Sequence, residues 1–497
     1  VTDSTSDPSR PDHWRTLDKD LNKLSHIEYA ALHVSRPLVG WGISLAFIVL
    51  AALAALAITG HARGVAFIVP AAAFGAYMAL NIGANDVANN MGPAVGSKAL
   101  SMGSAIIIAA ICESAGALIA GGDVVATISK GIVSPDSLAS GRTFTWAMMA
   151  ALLAAALWVN IATWIGAPVS TTHSVVGGVV GAGVAAAGLS AVDWPTMGAI
   201  AASWVISPFL GGLIAALMLA FIKWRIIYRD DKIAAARAWV PFLFGLMAAA
   251  FATYLCLKGL DNVLDIDLGH AVAVGLGVGL GCHLLAIPLI RRQSRGLENR
   301  NKSLRTLFGL PLVISAALLS FAHGANDVAN AVGPLAAIVH IQGAGVAGAE
   351  VGIPFWVMVI GAAGISFGLV LFGPKLVRMV GSRITRLNPM RAYCVALSAA
   401  LTVIVASWLG MPVSSTHIAV GAVFGVGIFR EWHAERRSRR LNRSRPPAKR
   451  LPEEERSRRK LVRRSHFLTI VAAWVITVPA AALLSGGLFL GLTFLLD

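Results

Sequence analysis

Apolar runs long enough to cross a bilayer follow one another along most of the chain, separated by short polar breaks. A helix needs about 20 apolar residues to span the hydrocarbon core. On that measure thirteen spans are predicted, near 39–59, 64–82, 100–120, 144–165, 169–190, 196–222, 239–258, 269–290, 307–323, 353–372, 392–409, 411–429 and 467–492. The stretches 83–99 and 324–345 are apolar too, but dense in glycine, asparagine and proline. Continuous helix is not expected there; broken or re-entrant segments are the physical alternative.

Composition supports this reading. Of 497 residues, 56% are hydrophobic and 13% charged, against about 25% charged in a soluble globular protein. So few charges could not cover a water-soluble surface, and fibrous, disordered and disulfide-stapled classes are excluded with it. The expected fold class is all-α, a polytopic membrane protein. The polar N-terminus (1–38) reads as a cytoplasmic extension rather than a cleaved signal peptide. Cys112, Cys256, Cys282 and Cys394 lie in apolar runs without CxxC spacing and read as buried thiols, not as metal ligands or disulfides.

The net charge of +16 has a topological owner: 31 of the 41 lysines and arginines fall within 223–238, 291–305, 373–391 and 430–464. The positive-inside rule places those stretches in the cytoplasm, with the N-terminus. Asp261, Asp265 and Asp267 then face outside, as does the C-terminus. The basic segment 430–464 suits anionic lipid headgroups or a solvated linker, and no nucleic-acid partner is expected.

The chain is internally repeated. GANDVANNMGP at 83–93 returns as GANDVANAVGP at 324–334, and GAPVSTTHSVVGGVVGAG at 166–183 returns as GMPVSSTHIAVGAVFGVG at 410–427, at offsets of 241 and 244 residues. Seven predicted crossings separate the two GANDVAN copies, and an odd number inverts one copy relative to the other. Inverted repeats with interrupted segments are the plan of many secondary transporters. The expected division is 39–222 for the first repeat, 223–268 for a basic loop and connector span, and 269–492 for the second repeat, interrupted by 430–464.

The repeated residues carry the candidate chemistry. A carboxylate at mid-membrane depth costs about 2.5–3.5 kcal/mol, yet both copies keep one, Asp86 and Asp327. Ionised aspartates accept only, so they suit a proton or a cation, whereas the amides of Asn85, Asn89, Asn326 and Asn330 can donate to an anion or offer carbonyl oxygens. Gly83 and Gly324 open the motifs; Gly92–Pro93 and Gly333–Pro334 close them and are expected to interrupt the helices, leaving N–H groups free. Ser170, Thr171, Thr172 and Ser414, Ser415, Thr416 follow a proline and look like helix starts, where hydroxyls and free N–H groups can hold an oxyanion. His173 and His417 could donate to substrate, take a proton, or form an internal hydrogen bond. Glu113 stands alone within the third span with no acid in the matching span, so it is a candidate for coupling or for a cytoplasm-side contact. No GxxxxGK[ST] loop is present, so an ion gradient is the available energy source.

The paired GANDVAN motifs with PVSTTH and PVSSTH resemble the inorganic phosphate transporter (PiT) family of low-affinity phosphate permeases. The resemblance covers roughly residues 40–430 and the final span. It implies a cell-membrane symporter for inorganic phosphate, free or as a neutral metal–phosphate complex, driven by protons in bacterial members and by sodium in others, and often assembled as a homodimer. It also implies that Asp86 and Asp327 take part in cation binding, directly as metal ligands if the ion is sodium, and that the asparagines and hydroxyls surround phosphate. Glu113 resembles the family glutamate that follows the first signature. No enzymatic cofactor is expected. A proton is favoured as the coupling ion. A sulfate or other oxyanion permease is the nearest rival, then an uncoupled anion channel or sensor; an enzyme is not expected.

Overall fold

The computed structural model describes residues 39–60, 64–165, 169–259, 266–344, 353–383, 387–443 and 464–496. The N-terminal extension, Asp261, Asp265 and residues 444–463 of the basic segment lie outside the described residues. Among the described residues thirteen long helices carry the fold: α1 Val39–Thr59, α2 Val65–Gly96, α3 Met102–Ala120, α4 Gly141–Ile165, α5 Thr171–Ala187, α6 Trp194–Ile222, α7 Lys232–Gly259, α8 Leu268–Gln293, α9 Gly309–Ala344, α10 Phe355–Arg383, α11 Pro389–Trp408, α12 Ser415–Arg443 and α13 Arg464–Leu496. Eleven are long and apolar enough to span a bilayer; α5 is shorter, and α12 ends in charged sequence. Among the described residues there is no strand, only one isolated bridge between Val133 and Val192.

Local chemistry sets several boundaries. Asp193, Asn388 and Ser101 accept from the N–H groups of Thr196, Arg391 and Ser104, so each caps a helix start. Gly188 stops α5 with φ 78°, and Gly410, with φ 66°, turns the chain after α11.

The long central helices correct the first expectation. GANDVAN does not break either helix: α2 runs unbroken through Pro93 to Gly96, and α9 passes Pro334 and continues to Ala344. The asparagines find partners across the bundle, so the backbone need not unwind to satisfy them. The glycines serve close packing. A Cβ on Gly83 would lie 1.9 Å from the Ile365 carbonyl oxygen, and one on Gly324 2.0 Å from that of Glu113.

The interrupted elements lie elsewhere. Thr171, at the start of α5, donates to Asp327 in the middle of α9, and Ser415 at the start of α12 does the same. Both helix starts therefore sit at mid-height of the bundle. The bases of α4–α5 and α11–α12 lie at opposite ends. Gln342, at the end of α9, donates to Thr145 near the start of α4, while Phe308, just before α9, packs its ring on Tyr393 near the start of α11. The segments expected as four spans (144–165, 169–190, 392–409 and 411–429) are thus two re-entrant hairpins, entering from opposite ends and meeting tip to tip. Hydropathy cannot distinguish a hairpin from two crossings. Because the first hairpin replaces two crossings, the motifs are displaced by five crossings rather than seven, and the inversion survives.

The repeats embrace each other. Gly181 of α5 lies against Ala482 of α13, whereas its mate Gly425 of α12 lies against Gly212 of α6; added Cβ atoms would meet those carbonyl oxygens at 2.1 and 2.0 Å. A third register follows from Ser114 and Ser366, 252 residues apart and 2.7 Å from each other. In that register Gly116 packs on Phe321 and its mate Gly368 on Leu80, again at mated positions.

The two ends differ in charge. At one, Lys223 lies over the Phe429 ring, Tyr228 bonds His433, and the Lys232 N–H donates to Asn299. The connector α7 and α8 pack on each other through Gly245, Gly275 and Gly279, leaving Val274, Leu276 and Leu280 of α8 exposed. The cysteines are free thiols; Cys256 and Cys394 are buried, but Cys112 and Cys282 only half so.

Substitution should follow this packing. Gly324→Ala, which must displace backbone of α3, is expected to cost about 1–3 kcal/mol of stability and to lower the unfolding temperature in detergent. Gly198→Ala, with nothing within 4 Å of the new methyl, should be neutral or stabilising by up to about 1 kcal/mol. Equal effects would contradict the close approach.

Candidate functional site: two hairpin tips on a buried acid cluster

Ser170 caps α5, its hydroxyl accepting from the His173 N–H at 3.1 Å, and Ser414 accepts from the His417 N–H at 3.3 Å. The first N–H groups of an α-helix have no acceptor inside it. The tips are joined directly, since Thr172 donates to the Val413 carbonyl at 2.9 Å. Two helix N-termini, the helix starts that PVSTTH and PVSSTH suggested, therefore converge on one small volume.

The carboxylates lie beneath them. Asp86 accepts from Thr171 at 3.0 Å and from Thr416 at 2.9 Å, so it is held by both hairpins. Asp327 accepts from Ser415 at 3.3 Å and from Thr171 at 3.4 Å. Both aspartates are fully buried.

The asparagines mostly fasten the tips. Asn85 donates to Thr163 at 2.8 Å, and its mate Asn326 donates to Ser407 at 3.0 Å and to the Met411 carbonyl at 3.1 Å. Asn326 also accepts from the Val413 N–H. Asn89 reaches across to Thr416 at 2.8 Å, and Asn330 reaches across to Thr172 at 3.1 Å. Each repeat thus holds the other's hairpin. Gly92, Pro93, Gly333 and Pro334 supply no exposed helix end, because α2 and α9 continue past them.

His173 and His417 stand behind the tips, their ring centroids 4.4 Å apart. Trp204 covers His173 at 3.7 Å and Trp474 covers His417 at 3.6 Å. His173 bonds Ser170 through Nδ1 at 2.7 Å, while neither nitrogen of His417 has a hydrogen-bond partner among the described residues. The pair packs the hairpins together rather than facing the aspartates.

His323 is a residue that the repeat comparison passes over. It precedes the second GANDVAN, where the first copy has Ile82. The ring lies between three buried carboxylates: Nδ1 is 3.3 Å from Glu113, and Nε2 is 3.0 Å from Asp327 and 3.8 Å from Asp86. Glu113 is central and fully buried, which excludes the cytoplasm-side contact considered for it, and it accepts from Asn90 at 2.8 Å. Its mate in the 252-residue register is Ile365, and the mate of Asn90 is Ala331. His323, Glu113 and Asn90 are thus additions to the symmetric scaffold. The available signal was an unmatched polar residue beside a matched motif.

No lysine or arginine pairs with these carboxylates among the described residues. Three ionised acids and one imidazolium would carry a net charge of −2 in a dry interior. Such a site needs protons or cations to be tolerable. Asp86, His323 and Asp327 each offer a ligand atom within 4.8 Å of the others, and Thr171, Ser415 and Thr416 add hydroxyl oxygens. Carboxylate and hydroxyl oxygens fit a hard cation; a two-nitrogen imidazole between acids fits a proton.

Residues 82–485 match the model of the phosphate transporter family. A Helicobacter pylori (strain J99) protein named "Putative phosphate permease" is 44% identical over 96% of this chain and 99% of its own. The Arabidopsis thaliana "Inorganic phosphate transporter 2-1, chloroplastic" is 36% identical over 83% of this chain and 70% of its own. Among solved structures, "The sodium-dependent phosphate transporter" superposes with a TM-score of 0.78 at 33% identity, covering 87% of this chain and all of that one. The chain, a multi-pass helical protein with re-entrant hairpins, belongs to the phosphate transporter family.

Proposed function

We propose that the protein is a secondary symporter that carries inorganic phosphate inward, coupled to protons. The observation that carries this reading is the meeting of two helix N-termini over a buried cluster of three carboxylates and His323. Paired N-termini supply N–H donors and positive dipole ends for an oxyanion. The acids beneath would repel that anion unless neutralised, so anion binding and uptake of positive charge favour one another. Thr171, Ser415 and Thr416 lie between the two and are the hydroxyls best placed to sense both.

The proton is preferred because His323 places one ring nitrogen toward Glu113 and the other toward Asp327 and Asp86. An imidazole in that position can hold a proton and pass it between acids. Sodium is the second reading, favoured by the oxygen donors around Asp86 and Asp327 and by the solved neighbour, which is named as sodium-dependent. The basic end of the bundle is assigned to the cytoplasm by the positive-inside rule. The first hairpin then enters from outside and the second from inside.

In sodium-free proteoliposomes an inward proton gradient is expected to drive phosphate accumulation, and a protonophore to abolish it. Absolute dependence on added sodium would move the assignment to the second reading.

Asp86→Asn and Asp327→Asn should each lower coupled uptake by roughly tenfold or more, about 1.4 kcal/mol, with folding checked by size exclusion. Gradient-driven accumulation at the parental rate in the double variant would remove both residues from coupling.

For orientation, the exposed positions Glu298 and His270 replaced singly by cysteine should label from opposite sides, Glu298→Cys from the cytoplasm. Labelling from one side would break the inversion.

A further inference from the structure

Beside the first hairpin tip, toward the basic end, lies a cavity of about 550 Å³. Trp41, Phe372 and the exposed Lys375 line it, with buried Asn81 and half-buried Asn160 and Thr163 as its polar floor. The floor is tied together: Asn160 donates to the Asn81 oxygen at 3.0 Å, and Asn81 donates to the Tyr77 carbonyl at 2.9 Å. Thr163 accepts from Asn85 at 2.8 Å, so one hydrogen bond separates the floor from the motif that carries Asp86.

The repeat provides an internal control. The mates of Asn81 and Asn160, at offsets of 241 and 244 residues, are Ala322 and Ile404, which can offer no hydrogen bond. The 252-residue register of Ser114 and Ser366 makes Asp123 the mate of Lys375. Asp123 is ion-paired with Lys258, whereas Lys375 is exposed and has no ion-pair partner among the described residues. Symmetry would have placed apolar residues and an acid here. The chain instead has two amides and an unpaired cation, at the basic end alone.

We infer that this cavity is the release vestibule for the transported anion, with Lys375 and the Asn81–Asn160 pair forming a transient subsite for a tetrahedral oxyanion on its way to the cytoplasm. The inference rests on the phosphate-symport reading and adds a path to it. Amide N–H groups and an ammonium can each donate to phosphate, while the apolar walls of Trp41, Trp164 and Phe372 add nothing for the anion to hold. Weak, sequential binding of that kind allows entry without trapping. Thr163 is well placed to couple the two regions, because it belongs to the hairpin tip that must shift to connect them and it anchors Asn85.

The test uses the full chain in proteoliposomes, with phosphate half-saturation measured separately from each face. Lys375→Gln, a change at an exposed position, is expected to raise cytoplasm-side half-saturation about fivefold, corresponding to roughly 1 kcal/mol, and to leave external half-saturation within about twofold. Asn160→Leu, which copies the apolar mate, should act in the same direction. An equal rise on both faces, or none on either, would overturn the subsite. Independently, Lys375→Cys should react with an impermeant thiol reagent from the cytoplasmic side only, more slowly in internal phosphate than in internal chloride. Reaction from outside, or at a rate indifferent to phosphate, would overturn the vestibule. Failure of the parental chain to take up phosphate would instead count against the symport reading, and the cysteine reaction would still decide where the cavity opens.

Discussion

Burial of three carboxylates around one histidine at the centre of the bundle is the constraint on which the rest of the structure depends. Asp86, Glu113, Asp327 and His323 are removed from water, and no lysine or arginine among the described residues neutralises them. Each acid accepts hydrogen bonds: Asp86 from threonines of both hairpins, Asp327 from Ser415 and Thr171, Glu113 from Asn90. Those contacts come mostly from the hairpin tips. Charge state and tip position are therefore one variable. Protonating or metallating the cluster changes what the threonine hydroxyls face, and moving a tip strips an aspartate of its donors.

The inverted repeat makes that variable two-sided. Asn89 holds the second hairpin through Thr416, and Asn330 holds the first through Thr172. The supporting helices are exchanged as well, α5 lying on α13 and α12 on α6. A tip facing either end of the bundle consequently finds a similar scaffold, which is what alternating access around a fixed site requires. The chain departs from that symmetry at particular polar positions. His323 stands where the other copy has Ile82, Glu113 where it has Ile365, and Lys375 where it has Asp123.

Much of this was legible in the sequence, and the rest was hidden for definable reasons. The doubled motifs gave the inversion, the helix starts at Thr171 and Ser415, and the choice of Asp86 and Asp327, which the fold brings to both hairpin tips. The glycine- and asparagine-rich stretches misled. Gly83 and Gly324 look like breaks, but they are points where α2 and α9 approach α10 and α3 closely, a relation between distant segments. The hairpins were counted as spans because α4 and α11 are as apolar and as long as true crossings. His323 was missed since comparing copies selects what they share. Its role depends on Glu113 of α3, six helices earlier in the chain, which sequence order does not bring near.

The central claim is that binding of the anion requires uptake of protons by this cluster. The most direct measurement is the heat of phosphate binding to the detergent-solubilised full chain without sodium, in buffers of differing ionisation enthalpy. The pH should be high enough that phosphate arrives as the monohydrogen dianion. The account predicts a heat that varies with the buffer in the sense of protons taken up, and a smaller dependence in Glu113→Gln. Phosphate binding with no buffer dependence, or binding that appears only when sodium is added, would contradict it.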